Sequence, residues 1–265
     1  MKTLVWGDIH NRIEVLKSFL GKYGDRFGKR IFLGDWFDQF GDNPDQAKAT
    51  AVYLVELMSD PRNVFILGNH DQCYMFHNTQ NFCSGFTWDK LRFISTVLDG
   101  RHWSRFKCFE YEQGWLCSHA GAHPAVFEHP VHGINVEQME IDCEKAIECA
   151  RANFAHPALK AGISSGGNAP YGGITWLRWW ELQPIKGVNQ IVGHTILREP
   201  EIIYGIEPAV GAPLRNVRVT ATQFNRMPPK KDKLCSINWN IDTNNSHFAI
   251  IENGEVTIEE TEDYL

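Results

Sequence analysis

The chain has no CxxC pair, no long apolar run, no basic excess and no repeat of fixed length. Seven cysteines, Cys73, Cys83, Cys108, Cys117, Cys143, Cys149 and Cys235, are odd in number and scattered. That argues against a disulfide framework and a thiolate zinc site, and reads as reduced thiols in a cytoplasmic protein. No segment reaches the roughly 18 uninterrupted apolar residues of a membrane span. Met1-Lys2 leads directly into a strand bearing Asp8, which leaves no room for a secretory leader. No membrane association is expected. A formal charge of -6 gives no general attraction to a polyanion, so no stable nucleic-acid binding is expected. The basic stretch from Arg215 to Lys233 reads as a solvated loop. Without a fixed period a solenoid is excluded. With 265 residues, 16 of them Phe and 9 Trp, the chain can bury one large core. It reads as a single domain over 1–265, with 258–265 as a solvated acidic tail.

What the sequence does have is one pattern written five times: TLVW-GDIH, RIFL-GDWFD, VFIL-GNHD, GWLC-SHAG and QIV-GHT. A short apolar run reads as an internal strand, and the small residue after it lets the backbone turn tightly. In open α/β sheets ligands gather at that carboxyl edge. Asp8, His10, Asp35, Asn69, His119 and His194 are thereby brought toward one rim.

Between these motifs lie helical patterns. Asn11 is placed to cap a helix with Ile13, Leu16 and Leu20 inward. Ala47, Ala51, Leu54, Val55 and Met58 mark a second helix that stops at Asp60-Pro61, and Met139 to Ala150 a third. A hairpin is expected around Gln113-Gly114, and 162–173 reads as a flexible Gly-rich loop. SINWNIDT and HFAIIENGEVTIEE read as strands closing a second sheet. The whole is α/β (α+β), with mixed sheets.

Oxygen and imidazole donors without thiolates suit borderline divalent metals: manganese, or iron or zinc. Six donors exceed the needs of one open site. Two ions sharing a carboxylate clamp the oxygens of a phosphoryl group and activate water, which points to phosphate ester hydrolysis.

In order and lettering, GDIHN, GDWFDQF, GNHD, SHAG and GHT resemble the motifs of the calcineurin-like metallophosphoesterases, and within them the branch of phosphoprotein phosphatases and bis(5'-nucleosyl)-tetraphosphatases. The resemblance spans Asp8 to Thr243. It implies a four-layer α-β-β-α sandwich of two mixed sheets flanked by helices. It implies two divalent ions, the first held by Asp8 and His10, the second by Asn69, His119 and His194, with Asp35 between them. It further implies a metal-bridging water as nucleophile. His70 would be the general acid paired with Asp38, since a carboxylate bonded to an imidazole raises its pKa and fixes its tautomer. ITWLRWW resembles the family's LWxR element, which makes Arg178 the candidate phosphate clamp, with Asn69 and Arg12 beside it.

Ile196 stands where many phosphodiesterase relatives have a second His, and NIDT at 240–243 resembles the phosphatase branch. The expected activity is therefore that of a phosphomonoesterase of serine/threonine protein phosphatase type. The alternatives are a dinucleoside-tetraphosphate hydrolase and a non-catalytic metal- or phosphopeptide-binding module. The substrate would be a phosphorylated small molecule, a phosphoprotein or a nucleotide. Asn11, Gln39, Phe40 and Asp71 depart from the family pattern. Gln39 replaces an Arg that contacts the substrate phosphate, so another cation must compensate or the substrate is bound differently.

Overall fold

The computed structural model describes residues 1–77, 82–127, 134–206, 215–226 and 234–264. Its first half alternates strand and helix: β1 (Thr3–Trp6), α1 (Ile13–Tyr23), β2 (Lys29–Phe32), α2 (Pro44–Met58), β3 (Asn63–Ile66), α3 (Asn69–Phe76), α4 (Trp88–Ser95), α5 (Gly100–Trp103) and β4 (Phe106–Lys107). Then come β5 (Phe109–Glu112), β6 (Trp115–Ser118), α6 (Pro124–Phe127), α7 (Val136–Arg151), β7 (Asn189–Val192), β8 (Glu201–Ile206), β9 (Arg215–Thr220), α8 (Ala221–Arg226), β10 (Leu234–Asn240), β11 (His247–Glu252) and β12 (Glu255–Glu260). The strands form two six-stranded mixed sheets flanked by helices, in the orders β12-β11-β1-β2-β3-β4 and β5-β6-β7-β10-β8-β9.

The motif-bearing strands β1, β2, β3, β6 and β7 run into consecutive buried residues without hydrophobic/polar alternation because both faces are covered. Along β1 to β3, Leu4, Trp6, Phe32 and Phe65 turn to the helix side, where Leu16, Phe19, Ala51 and Leu54 join the same cluster. The alternate residues Val5, Ile31, Leu33 and Ile66 face the second sheet and join Trp115, Cys117, Ile191 and Trp239. Leu116 points the other way, into the cluster that holds Phe127, Met139 and Cys143, so α6 and α7 cover the far face of that sheet.

Local chemistry fixes the helix ends. Asn43 caps α2 by accepting from Asp45 N and Gln46 N, both at 3.0 Å, with Pro44 at the first helical position. Gln113 and Gly114, with φ of 49° and 88°, make the turn of the β5–β6 hairpin.

Several expectations are corrected. Asn11 does not cap α1. Its φ is 59°, and its amide donates to Asp42 Oδ2 at 2.6 Å and accepts from Thr50 Oγ1 at 2.7 Å. The β11–β12 hairpin closes the first sheet rather than the second, because β11 pairs antiparallel with the free edge of β1, Trp6 opposite Phe248. Residues 258–260 belong to β12, and the last turn is not a solvated tail. The Tyr264 ring lies 5.6 Å from Phe19, 5.1 Å from Tyr23 and 5.2 Å from Phe248, so aromatic burial outweighs the acidic sequence around it. The 162–173 stretch is no loose loop: Gly162 bridges Ala169, and Gly173 N donates to Lys160 O at 2.9 Å. Of the basic stretch, 227–233 lies outside the described residues, while Arg218 is tied to Trp179 O at 2.9 Å. Among the described residues no helix is long and apolar enough to cross a membrane.

Candidate metal centre and active site

Strands β1, β2 and β3 run parallel and in register, Trp6 opposite Phe32 and Phe32 opposite Phe65, so their carboxyl ends are level. In the second sheet β6 and β7 are also parallel, Cys117 opposite Ile191. All five motifs follow these strands. Backbone bonds then lock the loops to one another: His10 N to Asp35 O at 2.7 Å, Asn11 N to Trp36 O at 2.8 Å, and Gly193 N to His119 O at 2.7 Å. The turns are sharp. His10, Asp35, Asp38 and His194 all have positive φ, between 45° and 68°, a conformation that costs a non-glycine residue about 1 kcal/mol or more and that aims each side chain inward.

Two groups of donors result, and Asp35 belongs to both: Asp8, His10 and Asp35, and Asp35, His119 and His194. In the first, His10 Nδ1 faces Phe37 O at 3.0 Å. This directs Nε2 toward Asp8 Oδ2 at 3.9 Å and Asp35 Oδ2 at 3.7 Å. In the second, His119 Nδ1 faces Leu33 O at 2.9 Å, which makes Nδ1 the protonated nitrogen and leaves Nε2 a lone pair. That lone pair meets Asn69 Oδ1 at 2.9 Å, Asp35 Oδ2 at 3.4 Å and His194 Nδ1 at 3.1 Å. The Asn69 amide nitrogen is turned away, donating to Cys83 Sγ at 3.0 Å. Acceptors thus converge on acceptors in a buried cradle, an arrangement that a cation satisfies.

The electrostatics agree. Burial, and then the neighbour His119, keep the His194 imidazole far below its ordinary pKa, and burial lowers His119 too; both are neutral, the form that ligates. Burial would raise Asp35, but the histidines around it outweigh burial and lower its pKa, with the His70 ring the cationic neighbour and the His70 backbone N–H donating to Oδ1. Asp8 is raised by burial and by the carboxylates of Asp242 and Asp35. Asp242 is itself pushed up to about 6 by burial. A divalent cation offsets this crowding of negative charge.

His70 stands beside the shared carboxylate. Its backbone N–H donates to Asp35 Oδ1 at 2.9 Å, and its ring Nδ1 lies 3.0 Å from Asp38 Oδ2. Burial opposes the imidazolium, but Asp35 and Asp38 overcome it and lift His70 to about 9. Its ring meets that of His10 edge-on at 5.1 Å. These two half-buried rings form the open side of an otherwise buried cluster.

Three glycines let the loops meet. A Cβ on Gly34, where φ is 98°, would lie 2.5 Å from Gly68 N. One on Gly68 would lie 2.2 Å from Asp35 Oδ1, and one on Gly193 2.2 Å from Asp8 Oδ1.

The expected substrate cations lie differently. Arg178 donates from Nε to Ser165 Oγ at 3.0 Å and sits over the exposed Trp180 ring at 5.8 Å, near enough to His194 to help lower its pKa. Arg12 is turned to Asn244 O at 3.1 Å.

Other residues carry weight that sequence reading did not assign. Asp71 accepts from Trp36 N at 2.8 Å and Gly68 N at 3.0 Å, tying the second and third motifs together. Asp242 is 1 % exposed beside Asp8, and its place in NIDT was the available signal. Tyr74 and Lys90 both bond Asp38, and nothing in their local sequence marks them.

A family model of the calcineurin-like phosphoesterases matches residues 1–196. The chain belongs to this family. As a calcineurin-like phosphoesterase it is a metal-dependent hydrolase of phosphoric esters, and the family implies divalent metal ions, which the two donor groups fit. Comparison with curated protein sequences gives no match. Among solved structures it is similar to a metallophosphoesterase from Sphaerobacter thermophilus, with 14% identity over 98% of this chain and 87% of that chain and a TM-score of 0.45. A serine/threonine phosphatase from Saccharomyces cerevisiae shares 14% identity over 98% and 79%, with a TM-score of 0.46. A proposed diadenosine tetraphosphatase shares 12% identity over 98% and 93%, with a TM-score of 0.42.

Proposed function

We propose that this calcineurin-like phosphoesterase hydrolyses phosphomonoesters, with His70 delivering the proton to the departing alkoxide. The observation that carries this reading is His70 itself, bonded through its backbone to the shared Asp35 and through its ring to Asp38. Asp8, His10 and Asp35 would hold one divalent ion, and Asp35, Asn69, His119 and His194 the other. Manganese suits this oxygen and imidazole set, as iron or zinc would. When bound, such ions neutralise phosphoryl oxygens and acidify water at the site.

The residues supply the rest. With Nδ1 engaged by Asp38, His70 would carry its mobile proton on Nε2, and against the opposing effect of burial the hydrogen-bonded Asp38 carboxylate favours the imidazolium. Asp38 fixes the ring and stabilises the imidazolium. Arg178, near His194, is the cation available to pair with phosphate oxygens, and Asn69 borders the same space. Seven cysteines held as thiols, five of them buried, support a reducing compartment such as the cytoplasm.

One observation favours a second reading. Trp180 is 56% exposed and stacks on Arg178, so an aromatic face stands beside the phosphate cation, as a dinucleoside tetraphosphate would require. The test is a panel with Mn2+: a phosphoserine peptide, p-nitrophenyl phosphate, its bis ester and a dinucleoside tetraphosphate. Monoesters are expected to turn over fastest. A faster tetraphosphate selects the second reading, and a strong preference for the bis ester refutes both. His70→Asn should cut kcat by about 100-fold or more with metal content unchanged; loss of metal would make His70 structural.

A further inference from the structure

Lys90 occupies the first turn of α4, where its backbone N–H donates to the helix-capping Thr87 Oγ1 at 3.2 Å. Its side chain does not seek water. The residue is 3% exposed, and its ammonium donates to Asp38 Oδ1 at 3.0 Å, to Gly85 O at 2.8 Å and to Asp42 Oδ1. An ammonium has three protons, and all three are used.

Around Asp38 the bonds divide cleanly. Oδ1 receives Lys90 and the Tyr74 hydroxyl, the latter at 2.5 Å, while Oδ2 is left to His70. The second carboxylate, Asp42, is held on its other oxygen by Asn11 at 2.6 Å. A chain of contacts therefore runs from Asn11, next to His10, through Asp42, Lys90 and Asp38 to His70. It explains why Asn stands at position 11, and it brings to Asp38 a cation from 52 positions away where the adjacent Gln39 has none. Because its donors are spent inside the protein, Lys90 does not replace the phosphate contact of the family's Arg.

We propose that Lys90 is a positioning residue for the His70–Asp38 pair: it locks the Asp38 carboxylate so that Oδ2 alone faces the His70 ring. A buried lysine between two carboxylates is costly to place, and apolar replacements of such pairs are often neutral for stability, so a dedicated ammonium on this carboxylate points to geometry at His70.

The inference rests on His70 being the general acid, and the test separates the two. Wild type, Lys90→Met, His70→Asn and the double variant, each loaded with Mn2+, are compared on p-nitrophenyl phosphate, which needs little leaving-group protonation, and on a phosphoserine peptide, which needs it. Lys90→Met is expected to lower kcat at least about tenfold on the peptide but less than about threefold on the aryl ester, with KM within about twofold and metal content unchanged. In the His70→Asn background it should have almost no further effect. An equal loss on both esters, or a loss that persists without His70, overturns the proposal. If His70→Asn itself fails to distinguish the esters, the general-acid reading falls whatever Lys90 does; if it distinguishes them and Lys90→Met does not, only the positioning role falls. Should Lys90→Met not fold, Asp42→Asn/Lys90→Met removes the surplus buried charge and is read the same way. Failure of both to fold assigns Lys90 to stability and overturns the proposal.

Discussion

Gly68→Ala places a single methyl group against the shared carboxylate. Gly68 has φ -91° and ψ 168°, a conformation open to alanine, so the whole penalty comes from contact. The new Cβ would stand 2.2 Å from Asp35 Oδ1 and 2.3 Å from Asp35 N. An ordinary contact begins at 3.4 Å, so Asp35 must retreat by about 1 Å. Gly34 packs its own backbone against Gly68 N, leaving little room for a shared adjustment. Overpacking of this kind costs about 1–3 kcal/mol. At about 2–4 °C per kcal/mol for a chain of this size, the melting temperature should fall by roughly 2–12 °C. The functional loss should be larger, because metal–ligand distances tolerate only about 0.2 Å and Asp35 serves both donor groups. Elemental analysis after gel filtration should show both metals depleted, and kcat should fall with them. Gly21→Ala is the control: it lies inside α1 with nothing within 4 Å, and should stabilise by about 0.5–1 kcal/mol. Full metal content, unchanged kcat and an unchanged melting temperature in Gly68→Ala would refute the close-approach reasoning.

Asp71→Asn leaves one carbonyl oxygen where two buried N–H groups, those of Trp36 and Gly68, now find two, and should cost about 1–3 kcal/mol by denaturant titration; an unchanged midpoint would contradict that role. In the chelated protein the stability contributed by Asp242, read as wild type minus Asp242→Asn, should fall as pH rises from 3.8 to about 6. Without cations, burial holds Asp242 at about 6, above its ordinary value of 3.8, so its contribution is complete below pH 3.8 and lost as pH passes 6, a span on the order of 3 kcal/mol. Asp8 shifts in the same direction, and metal binding should accordingly release protons, measurable by calorimetry in two buffers of different ionisation enthalpy. A metal-free difference in melting temperature between wild type and Asp242→Asn that grows over this interval would oppose the sign. Tyr264→Ala removes a ring packed on Phe19, Tyr23 and Phe248 and should cost about 1–3 kcal/mol while leaving kcat at 25 °C intact; equal thermal stability would return these residues to solvent.

Strand ends were readable because buried strands and glycine turns leave local signatures, and the five motifs announced where Asp8, Asp35, Asn69, His119 and His194 would meet. The His70–Asp38 contact was readable for the same reason. Lys90 was not, since a lysine among apolar residues of a helix reads as a solvated position, and its two carboxylates lie about 50 positions back. Asn11 was misread because its local pattern fits a cap, whereas its partner Asp42 is brought near only by the tertiary fold. The β11–β12 hairpin was assigned to the wrong sheet because strand patterns carry no information on which edge is vacant. Tyr264 looked solvated because charge around it is local and the aromatic pocket that receives it is not.

Pairing of β1 with β11 also sets a clock. Strand β1 carries the first motif but has its second neighbour only when residues 247–252 exist, and His194, whose backbone holds Asp8, arrives 186 positions after it. At about 5–20 residues per second, a nascent chain waits roughly 10–50 s between making Trp6 and making Phe248. During that interval the apolar edge of β1 is open and the acidic cradle is incomplete. The donor group of Asp35, His119 and His194 can therefore be completed only late in synthesis, and until then the growing chain carries the unpaired edge of β1 as a site open to mispairing.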